Sequence, residues 1–439
     1  MKNNKTFFIQ TFGCQMNMAD SDAAALWLTS KGIIQTQNKE DADFIIINTC
    51  SVREHAEERA ISYIGRLKPL KITNPELVII MVGCSAELLG NTVKGRLPII
   101  DLVIGAKSMP RFGDIFEENF GHLLANETPE RNTELRVPTH QPSKIAAFLN
   151  IMRGCNNYCA YCVVPYVRGP EVSIDLPEIL SEINRLAKNG VKEITLLGQN
   201  VNSYKGKDSN GKTIDFSDLL TQIHSIKEIK RIRFMSNHPK DFSDKLINTI
   251  GSLPKVCNHI HLPLQSASDS VLMAMNRNYT YEHYKEIINK LRKQKPDISL
   301  TTDIIIGFPG ETENDFNATL NAIKELQFDL IYAFKYSPRK GTKSALLKET
   351  ITREEKEARH KIFLEAANLT NEKKNAKLIG TKQEVLIETQ KNSKAIGRTF
   401  SNIKVYVDSA QSAPQLIGKI VSVEITDSKV NTLSGIITS

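Results

Sequence analysis

The sequence predicts an α/β protein in three parts: an N-terminal Rossmann-like parallel sheet, a central partial (β/α)6 barrel and a small C-terminal all-β barrel. Short apolar runs recur near the N-terminus at the spacing of one β/α unit, six strand and helix alternations follow, and short alternating runs close the chain. The length of 439 residues suits about three domains, each with its own core.

The composition is typical of a soluble globular protein. Hydrophobic residues make up 41% and charged residues 24%, which argues against a fibrous or wholly disordered chain. No apolar run approaches the roughly 18 residues of a membrane-spanning helix. The segment Met1–Cys14 lacks the long apolar region of a signal peptide, so we expect a cytoplasmic protein without a membrane partner. The net charge of +8 favours a polyanionic partner.

Each of three apolar runs in the N-terminal part leads within a few residues to a cysteine. The carboxyl ends of parallel strands lie along one edge of a sheet, so we expect the three thiols to converge there. Three convergent thiolates would make a cluster site. The runs and their cysteines are Thr6 to Gln10 with Cys14, Phe44 to Ile47 with Cys50, and Leu77 to Val82 with Cys84.

Residues 126–144 hold three prolines among mostly polar residues and are interpreted as a linker after an N-terminal domain of residues 1–125. A barrel domain is predicted over 145–377, with a core of about 145–345, because strands alternate with helices and functional residues should follow the strand ends. Its predicted strands are Ala147 to Met152, Glu193 to Gly198, Arg231 to Met235, His259 to Leu264, Leu300 to Gly307 and Leu330 to Tyr336.

The C-terminal segment changes pattern twice. Thr352 to Lys377 predicts a long charged helix with a solvated face. Residues 378–439 then show short alternating runs, which predict a small β-barrel. Its predicted strands are Glu384 to Glu388, Ile403 to Val407, Lys419 to Ile425 and Leu433 to Thr438.

A second group of cysteines follows the first barrel strand. Cys155, Cys159 and Cys162 form a C-x3-C-x2-C motif. One such loop can ligate three corners of a cubane iron-sulfur cluster and leave the fourth iron open to a substrate molecule. The alternative is a zinc site that lacks its fourth ligand.

This motif, with Tyr161 before its last cysteine and a six-unit barrel around it, resembles that of the radical S-adenosylmethionine enzymes. With Cys14, Cys50 and Cys84 upstream and a β-barrel downstream, nearly the whole chain resembles the methylthiotransferases of that superfamily. The resemblance implies an N-terminal domain with an auxiliary 4Fe-4S cluster, a radical domain with a second 4Fe-4S cluster, and a C-terminal TRAM domain that binds RNA.

Three longer strings favour one branch of this family. The stretches 13–17 (GCQMN), 48–54 (NTCSVRE) and 196–204 (LLGQNVNSY) are similar to those of enzymes that act on tRNA with N6-isopentenyladenosine (N6-dimethylallyladenosine) at position 37. Two alternatives keep the chemistry but change the target, to threonylcarbamoyladenosine in tRNA or to a ribosomal protein. A third, from another class, is an RNA-binding regulator whose clusters sense redox state or iron.

The resemblance also implies how the two clusters divide the chemistry. The C2 hydrogen of adenine resists acids and bases, so its replacement by sulfur calls for a radical. Cys155, Cys159 and Cys162 would hold the cluster that binds S-adenosyl-L-methionine and cleaves it reductively to a 5'-deoxyadenosyl radical. The auxiliary cluster on Cys14, Cys50 and Cys84 would carry the sulfur, methylated by another S-adenosylmethionine.

Further residues are implied as cofactor contacts because they follow barrel strands or match family strings. Two neighbours depart from the family pattern: Asn237 stands where serine is usual, and Ala267 where glycine is usual, so the turn there is expected to differ slightly. The predicted contacts are Tyr161, Gln199, Asn200, Ser236, His238, Gln265, Ile305 and Gly307.

The remaining expectations concern partners. Candidate tRNA contacts are Arg398 and Lys404 in the C-terminal barrel, and Arg153 and Arg168 near the barrel mouth. An electron donor such as flavodoxin or ferredoxin, a sulfur or cluster carrier, and a monomeric state complete the predictions.

Overall fold

The computed structural model describes residues 5–51, 54–124, 137–392, 394–408 and 413–438. The chain divides into two compact units, and successive short segments between residues 141 and 172 belong in turn to one unit and then the other. Most of the predicted linker 126–144 lies outside the described residues, and the predicted domain bounds stay predictions. The first unit comprises Met1–His140, Phe148–Asn156 and Cys162–Val172, and the second comprises Gln141–Ala147, Asn157–Tyr161 and Ser173–Ser439.

A parallel sheet forms the centre of the first unit. Its order is β2-β1-β3-β4-β5, and every described pairing between neighbours is parallel. The three predicted strands are confirmed, and the sequence analysis missed the two short edge strands. The strands are β1 (Thr6–Thr11), β2 (Ile34–Gln35), β3 (Phe44–Thr49), β4 (Val78–Gly83) and β5 (Leu102–Gly105).

Helices cover both faces of this sheet, which explains why β3 and β4 are buried along their whole length. Ala60 and Ile64 of α2 pack on one face, and Leu28 of α1 packs with Phe116 of α6 on the other. The helices are α1 (Gln15–Ser30), α2 (Glu54–Gly65), α3 (Lys68–Thr73), α4 (Cys84–Leu89), α5 (Thr92–Arg96) and α6 (Phe112–Phe120).

Short elements follow where the chain alternates between the units. They include the first strand of the predicted barrel, β7, beside a strand that the sequence analysis missed, β6. The elements are β6 (Thr139–Ser143), β7 (Ala146–Asn150), β8 (Met152–Arg153), α7 (Val164–Arg168) and β9 (Val172–Ser173).

The second unit contains most of the partial barrel. Its strands lie in two sheets, of order β13-β10-β7-β6 and β14-β15-β16. All six predicted barrel strands are present, as β7, β10, β13, β14, β15 and β16, and β11 and β12 form an added antiparallel hairpin. The further strands are β10 (Glu193–Leu197), β11 (Lys205–Lys207), β12 (Thr213–Asp215), β13 (Arg231–Phe234), β14 (His259–His261), β15 (Ser299–Ile306) and β16 (Leu330–Lys335).

Capped helices connect these strands. Asp215 and Asp218 form a capping box at the start of α9, and Thr312 and Asp315 form another at the start of α13. The predicted long charged helix is α14, which buries Phe363 and Ala367. The helices are α8 (Leu176–Lys188), α9 (Phe216–His224), α10 (Asp244–Ser252), α11 (Asp269–Ala274), α12 (Tyr281–Gln294), α13 (Glu313–Leu326) and α14 (Arg353–Ala376).

The C-terminal segment closes into a five-stranded barrel of order β17-β18-β19-β21-β20. Its core consists of aliphatic residues such as Val385, Val405 and Leu433. The sequence analysis predicted four of the five strands and missed β18. The elements are β17 (Lys382–Lys391), β18 (Lys394–Thr399), β19 (Lys404–Asp408), α15 (Ala413–Leu416), β20 (Ile420–Lys429) and β21 (Thr432–Ile437).

Buried charges attach this barrel to the amino ends of β10 and β13 within the second unit. The fully buried Arg231 donates to the carbonyl oxygens of Arg398, at 2.8 Å, and Glu384, at 3.1 Å. Arg398 in turn lies 3.3 Å from Glu193. Among the described residues, no helix combines the length and apolarity required to span a bilayer.

Candidate functional site

The first unit brings the three early cysteines to one edge of its sheet. Cys14 follows β1 and is exposed, whereas Cys50 follows β3, Cys84 follows β4, and both are buried. Burial, with smaller contributions from nearby Cys50 and Cys14, raises the pKa of the Cys84 thiol to about 11. The three thiols are therefore neighbours at the carboxyl ends of adjacent strands, as the sequence analysis expected.

A buried pair of amides fixes the loops that carry these thiols. Asn17 and Asn48 are both fully buried, and Nδ2 of Asn17 donates to Oδ1 of Asn48 at 2.8 Å and to the carbonyl oxygen of Thr49 at 3.0 Å. The thiol of Cys14 donates to Oδ1 of Asn17 at 3.2 Å. Because unsatisfied buried amides are costly, this network specifies one arrangement of the first two cysteine loops.

Two glycines are required for the same arrangement. Gly83, just before Cys84, has a φ of +97°, and a Cβ there would lie 2.4 Å from Oδ1 of Asn48 and 2.5 Å from the carbonyl oxygen of Thr49. At Gly13, before Cys14, a Cβ would lie 2.7 Å from the side chain of Asn17. Both positions exclude a larger residue without a shift of the network.

A buried ion pair lies beside Cys84. Nη2 of Arg168, at the end of α7, lies 2.9 Å from Oδ2 of Asp20 in α1. Val163 and Val167 of the same segment pack against Cys84. Burial alone would raise the pKa of Cys84 more, but the Arg168 guanidinium, which is hydrogen-bonded to this thiol, opposes the shift. The Arg168 guanidinium therefore contacts Asp20 and Cys84 inside the first unit.

The C-x3-C-x2-C loop is held at its amino end by the segment that follows α7. The backbone N–H of Cys155 donates to the carbonyl oxygen of Gly169 at 3.1 Å. Gly154 has a φ of +77°, and a Cβ there would lie 1.9 Å from the carbonyl oxygen of Pro170. Cys155 and Cys162 belong to the first unit and Cys159 to the second.

Arg277 is a site residue that the sequence analysis missed. Its side chain is buried in the second unit, where Nη1 lies 3.5 Å from Sγ of Cys159 and Nη2 donates to the carbonyl oxygen of Pro263 at 2.9 Å. Its neighbour Asn276 has a φ of +57° and donates to the carbonyl oxygen of Tyr158 at 2.9 Å. No local pattern marks these residues, because they meet the loop through tertiary contacts.

Four of the predicted cofactor contacts follow β10 or β13. Gln199 and Asn200 come after β10, and Nδ2 of the buried Asn200 donates to Asp241 at 2.8 Å. Ser236, with a φ of +65°, and His238 come after β13. Burial, with Arg277 and Lys240 nearby, lowers the pKa of His238 to about 2, so this ring is neutral and Nδ1 accepts from the N–H of Lys240.

Gln265 and Ile305 lie on adjacent backbone segments. Gln265 has a φ of +70°, and the N–H of Ile305 donates to its carbonyl oxygen at 3.0 Å. Ala267 is not among the described residues with positive φ, so its replacement of the family's usual glycine needs no strained backbone.

Gly307 and Tyr161 lie beside one aromatic cluster of the second unit. Ile305 and Tyr161 pack against a core that contains Phe308 and Tyr336. Gly307 has a φ of +75°, and a Cβ there would lie 2.5 Å from Cγ of Lys356.

Mononuclear metal sites are not a feature of the described part of the chain, where no three His, Cys, Asp or Glu side chains are grouped to hold one ion. A cubane cluster separates its thiolate ligands by its own edges, so its ligand set is wider than that of a single ion.

Three family models match successive parts of the chain. Residues 6–105 match the Uncharacterized protein family UPF0004, residues 149–323 match the Radical SAM superfamily, and residues 376–438 match the TRAM domain. The model boundaries follow the order of the sheet, the partial barrel and the closed barrel.

Relatives match nearly the full length. The tRNA-2-methylthio-N(6)-dimethylallyladenosine synthase of Endomicrobium trichonymphae is 45% identical over 429 residues, which cover 98% of this chain and 99% of that protein. The synthase of Thermodesulfovibrio yellowstonii is 44% identical over 439 residues, with 99% of each chain covered. The chain belongs to this synthase family. Its predicted family, fold class, reaction and transferase class are thereby confirmed.

A solved structure supports the fold of this synthase. The radical S-adenosylmethionine methyltransferase TsrM from Kitasatospora setae, solved with tryptophan and a cofactor analogue, superposes with a TM-score of 0.56 at 11% identity. The match covers 75% of this chain and 73% of TsrM. At this identity the likeness concerns the fold alone.

The predicted cofactors of the synthase family, two 4Fe-4S clusters and S-adenosylmethionine, fit the residues present. Cysteine thiolates are the usual ligands of such clusters, and each predicted group supplies three. Near the predicted contacts, Nε2 of His238 and Oδ1 of Asn200 and Asn237 are buried without a partner among the described residues. Such atoms suit a polar ligand, because buried polar groups in native proteins are normally hydrogen-bonded.

Proposed function

We propose that the protein converts N6-dimethylallyladenosine at position 37 of tRNA to its 2-methylthio derivative. S-adenosylmethionine would serve as methyl donor and as radical source. The observation that carries this proposal is the convergence of Cys14, Cys50 and Cys84 at one sheet edge in a chain that matches the synthase family over 98% of its residues.

We propose Cys14, Cys50 and Cys84 as ligands of the auxiliary cluster, and Cys155, Cys159 and Cys162 as ligands of the radical cluster. When bound, the clusters supply the sulfur and the electron that the reaction requires. Burial of Cys50 and Cys84 at 3% exposure keeps water away from two of the auxiliary ligands. Asn17 and Asn48 orient their loops, and Arg277 places a positive charge beside Cys159.

The cofactor contacts are proposed on the second unit. Tyr161, Ile305 and Gly307 would offer an apolar wall and a close backbone approach. Neutral His238 would accept or donate a single hydrogen bond through Nε2 without adding charge. The polar side chains that complete this proposed set are Gln199, Asn200, Ser236 and Gln265.

The partners beyond tRNA follow from the chemistry. Reductive cleavage needs an external electron, so we propose flavodoxin or ferredoxin as the donor class, and a carrier to restore sulfur or the cluster after each turnover. A cytoplasmic location is supported by seven cysteines that form no disulfide. We propose a monomer.

Nucleoside mass spectrometry tests the reaction. Reconstituted protein is incubated without oxygen with S-adenosylmethionine, reductant and tRNA that carries the dimethylallyl group. We expect a methylthio mass gain on that nucleoside together with 5'-deoxyadenosine. Threonylcarbamoyl-modified tRNA and a ribosomal-protein peptide, run in parallel, should show no gain, and a gain on either would reassign the target.

Two cysteine variants separate the proposed roles of the clusters. Cys159→Ala should abolish 5'-deoxyadenosine and the methylthio product together. Cys84→Ala should abolish the methylthio product while the radical loop still cleaves S-adenosylmethionine. Activity that survives both substitutions would contradict the ligand assignment.

A further inference from the structure

A pocket of about 380 Å³ opens in the first unit beside the carboxyl end of β1. This volume lies within the roughly 300–1,000 Å³ of ligand pockets. Phe12, just after β1, lines it from one side, and Arg59, Ser62 and Tyr63 of α2, followed by Arg66, line it from the other. None of the proposed cluster ligands or cofactor contacts lines this pocket.

Two aromatic rings form its wall. The ring centroids of Phe12 and Tyr63 are 5.5 Å apart, with 57° between the ring planes. Phe12 belongs to the core below β1, so its position is fixed by packing, and Tyr63 packs on the same core while remaining partly exposed. Phe12 is only 9% exposed and supports the wall from below, so Tyr63 is the ring that offers a preformed surface, with Nζ of Lys39 5.8 Å from its centroid.

Each ring carries an arginine. Cζ of Arg59 lies 5.7 Å from the Phe12 ring centroid, and Cζ of Arg66 lies 5.9 Å from that of Tyr63. Nη1 of Arg66 also donates to Oγ of Ser62 at 2.9 Å. Within the described part of the chain, neither guanidinium forms an ion pair with a carboxylate. Glu58 is the acid among the residues that line the pocket, and it lies 4.0 Å from Nδ1 of His55. The pocket thus joins stacking surfaces to uncompensated positive charge.

This combination suits an unpaired nucleotide. Proteins bind single-stranded nucleic acid by stacking bases on aromatic or guanidinium planes and by neutralising phosphates with arginine or lysine. Phe12 precedes Cys14 by two residues, so the pocket lies near the edge where the three thiols meet. We infer that this pocket binds an unpaired nucleotide of the substrate RNA next to the adenosine that reacts. This inference rests on the proposed function.

Binding of an anticodon stem-loop tests the pocket. The stem-loop carries dimethylallyladenosine and a fluorescent label, and its affinity for the full-length protein is measured by anisotropy over a salt series. Tyr63→Leu should weaken binding about fivefold or more through lost stacking, and Tyr63→Phe should bind as wild type. Arg59→Gln and Arg66→Gln should each reduce the slope of log affinity against log salt by about 1.

Arg96→Gln is the matched control, because Arg96 is an exposed arginine in α5 of the same unit and does not line the pocket. A 4-thiouridine beside the modified adenosine should crosslink to a peptide of α2 in wild type. Wild-type cluster content and circular dichroism in Tyr63→Leu would attribute its weaker binding to the pocket rather than to misfolding.

The possible failures are distinguishable. If wild type forms the methylthio product while the pocket variants bind RNA like Arg96→Gln, the pocket proposal is overturned and the proposed function stands. If wild type binds the stem-loop without product, the function fails, while a selective loss in Tyr63→Leu would still support an RNA pocket. Equal weakening of an acidic-peptide probe would assign the pocket to a protein partner and overturn the inference.

Discussion

Arg168 and Asp20 form a buried ion pair, with Nη2 and Oδ2 2.9 Å apart and side-chain exposures of 8% and 9%. The pair joins the helix that follows Cys162 to the helix that follows Cys14, and Val167 beside it packs against Cys84. Sequence analysis suggested Arg168 as a tRNA contact, whereas the structure encloses its charge within the first unit.

Removal of the Arg168 charge should destabilise the first unit. Arg168→Gln leaves the Asp20 carboxylate buried without its cation, which typically costs about 3–5 kcal/mol. Asp20→Asn with Arg168→Gln should recover part of that loss. Anaerobic thermal unfolding of the two singles and the double variant measures the coupling, and additive effects of the two substitutions would show that the pair is not coupled.

The two glycines that flank α4 provide a paired test of the cysteine edge. Gly83 and Gly90 both have positive φ, but a Cβ would clash with Asn48 and Thr49 only at Gly83, since nothing lies within 4 Å at Gly90. Gly83→Ala should therefore lower iron content and melting temperature well beyond Gly90→Ala, which carries only the strain of its own backbone at φ +53° and ψ −151°, roughly 1–3 kcal/mol. Equal losses in the two variants would mean that the close approach at Gly83 does not matter.

Acidification should weaken the fold through His238. Its pKa is about 2 in the fold because of burial and nearby positive charge, against 6.5 for the ordinary group. Below pH 6.5 the His238 ring binds a proton in the unfolded chain but stays neutral in the folded chain. The free energy of unfolding is therefore independent of His238 above that pH and decreases as the pH falls. The limiting slope is about 1.4 kcal/mol per pH unit for one group.

His238→Gln should reduce that slope, measured as unfolding free energy or melting temperature between pH 7.5 and 5.5. His283→Gln is a suitable control, because His283 lies at an exposed position near the start of α12. A pH dependence unchanged by His238→Gln would show that this ring titrates normally in the folded protein.

RNA affinity should distinguish two basic residues of the C-terminal barrel. Arg398 is paired with Glu388 at 2.6 Å and Glu193 at 3.3 Å, whereas Lys404 is exposed and its Nζ lies 4.8 Å from the centroid of the half-buried Tyr406 ring. Lys404→Gln should reduce the salt dependence of tRNA binding by about one unit of slope. Arg398→Gln should instead lower stability with little change in that slope, and the reverse pattern would identify Arg398 as the phosphate contact.

Strand positions were readable from the sequence wherever a strand is buried on both faces. β3 contains the apolar run Phe44 to Ile47 and β4 the run Val78 to Val82, and each strand ends directly before a cysteine, so the fold and the cysteine edge could be predicted together. β18 escaped because KAIGRT lacks regular alternation and contains Gly397, where a Cβ would lie 2.2 Å from the carbonyl oxygen of Leu386. That glycine is required by a close approach to the backbone of the neighbouring strand β17, which the sequence of β18 by itself does not reveal.

Residues that act through tertiary contacts were not predictable. Asn17 and Asn48 lie in the stretches 13–17 and 48–54, whose similarity to the family gave no role for either residue. Their mutual hydrogen bonds depend on the pairing of β1 with β3. Arg277 reaches Cys159 from a segment more than a hundred residues away. Polar side chains of this kind have many potential partners in sequence, and only the folded chain selects one.

The two cysteine groups differ in how far apart their members lie along the chain, and this has a consequence for biosynthesis. Cys155, Cys159 and Cys162 share one loop, whereas Cys14, Cys50 and Cys84 meet only after β1, β3 and β4 have paired. Proteins fold from the N-terminus as they leave the ribosome. Cys14, Cys50 and Cys84 can therefore come together before the loop with Cys155, Cys159 and Cys162 has been translated. Arg168, which lies against Cys84, is translated only after that loop. Newly made chains would pass through a stage in which Cys14, Cys50 and Cys84 lie together while Cys84 is not yet covered by Arg168.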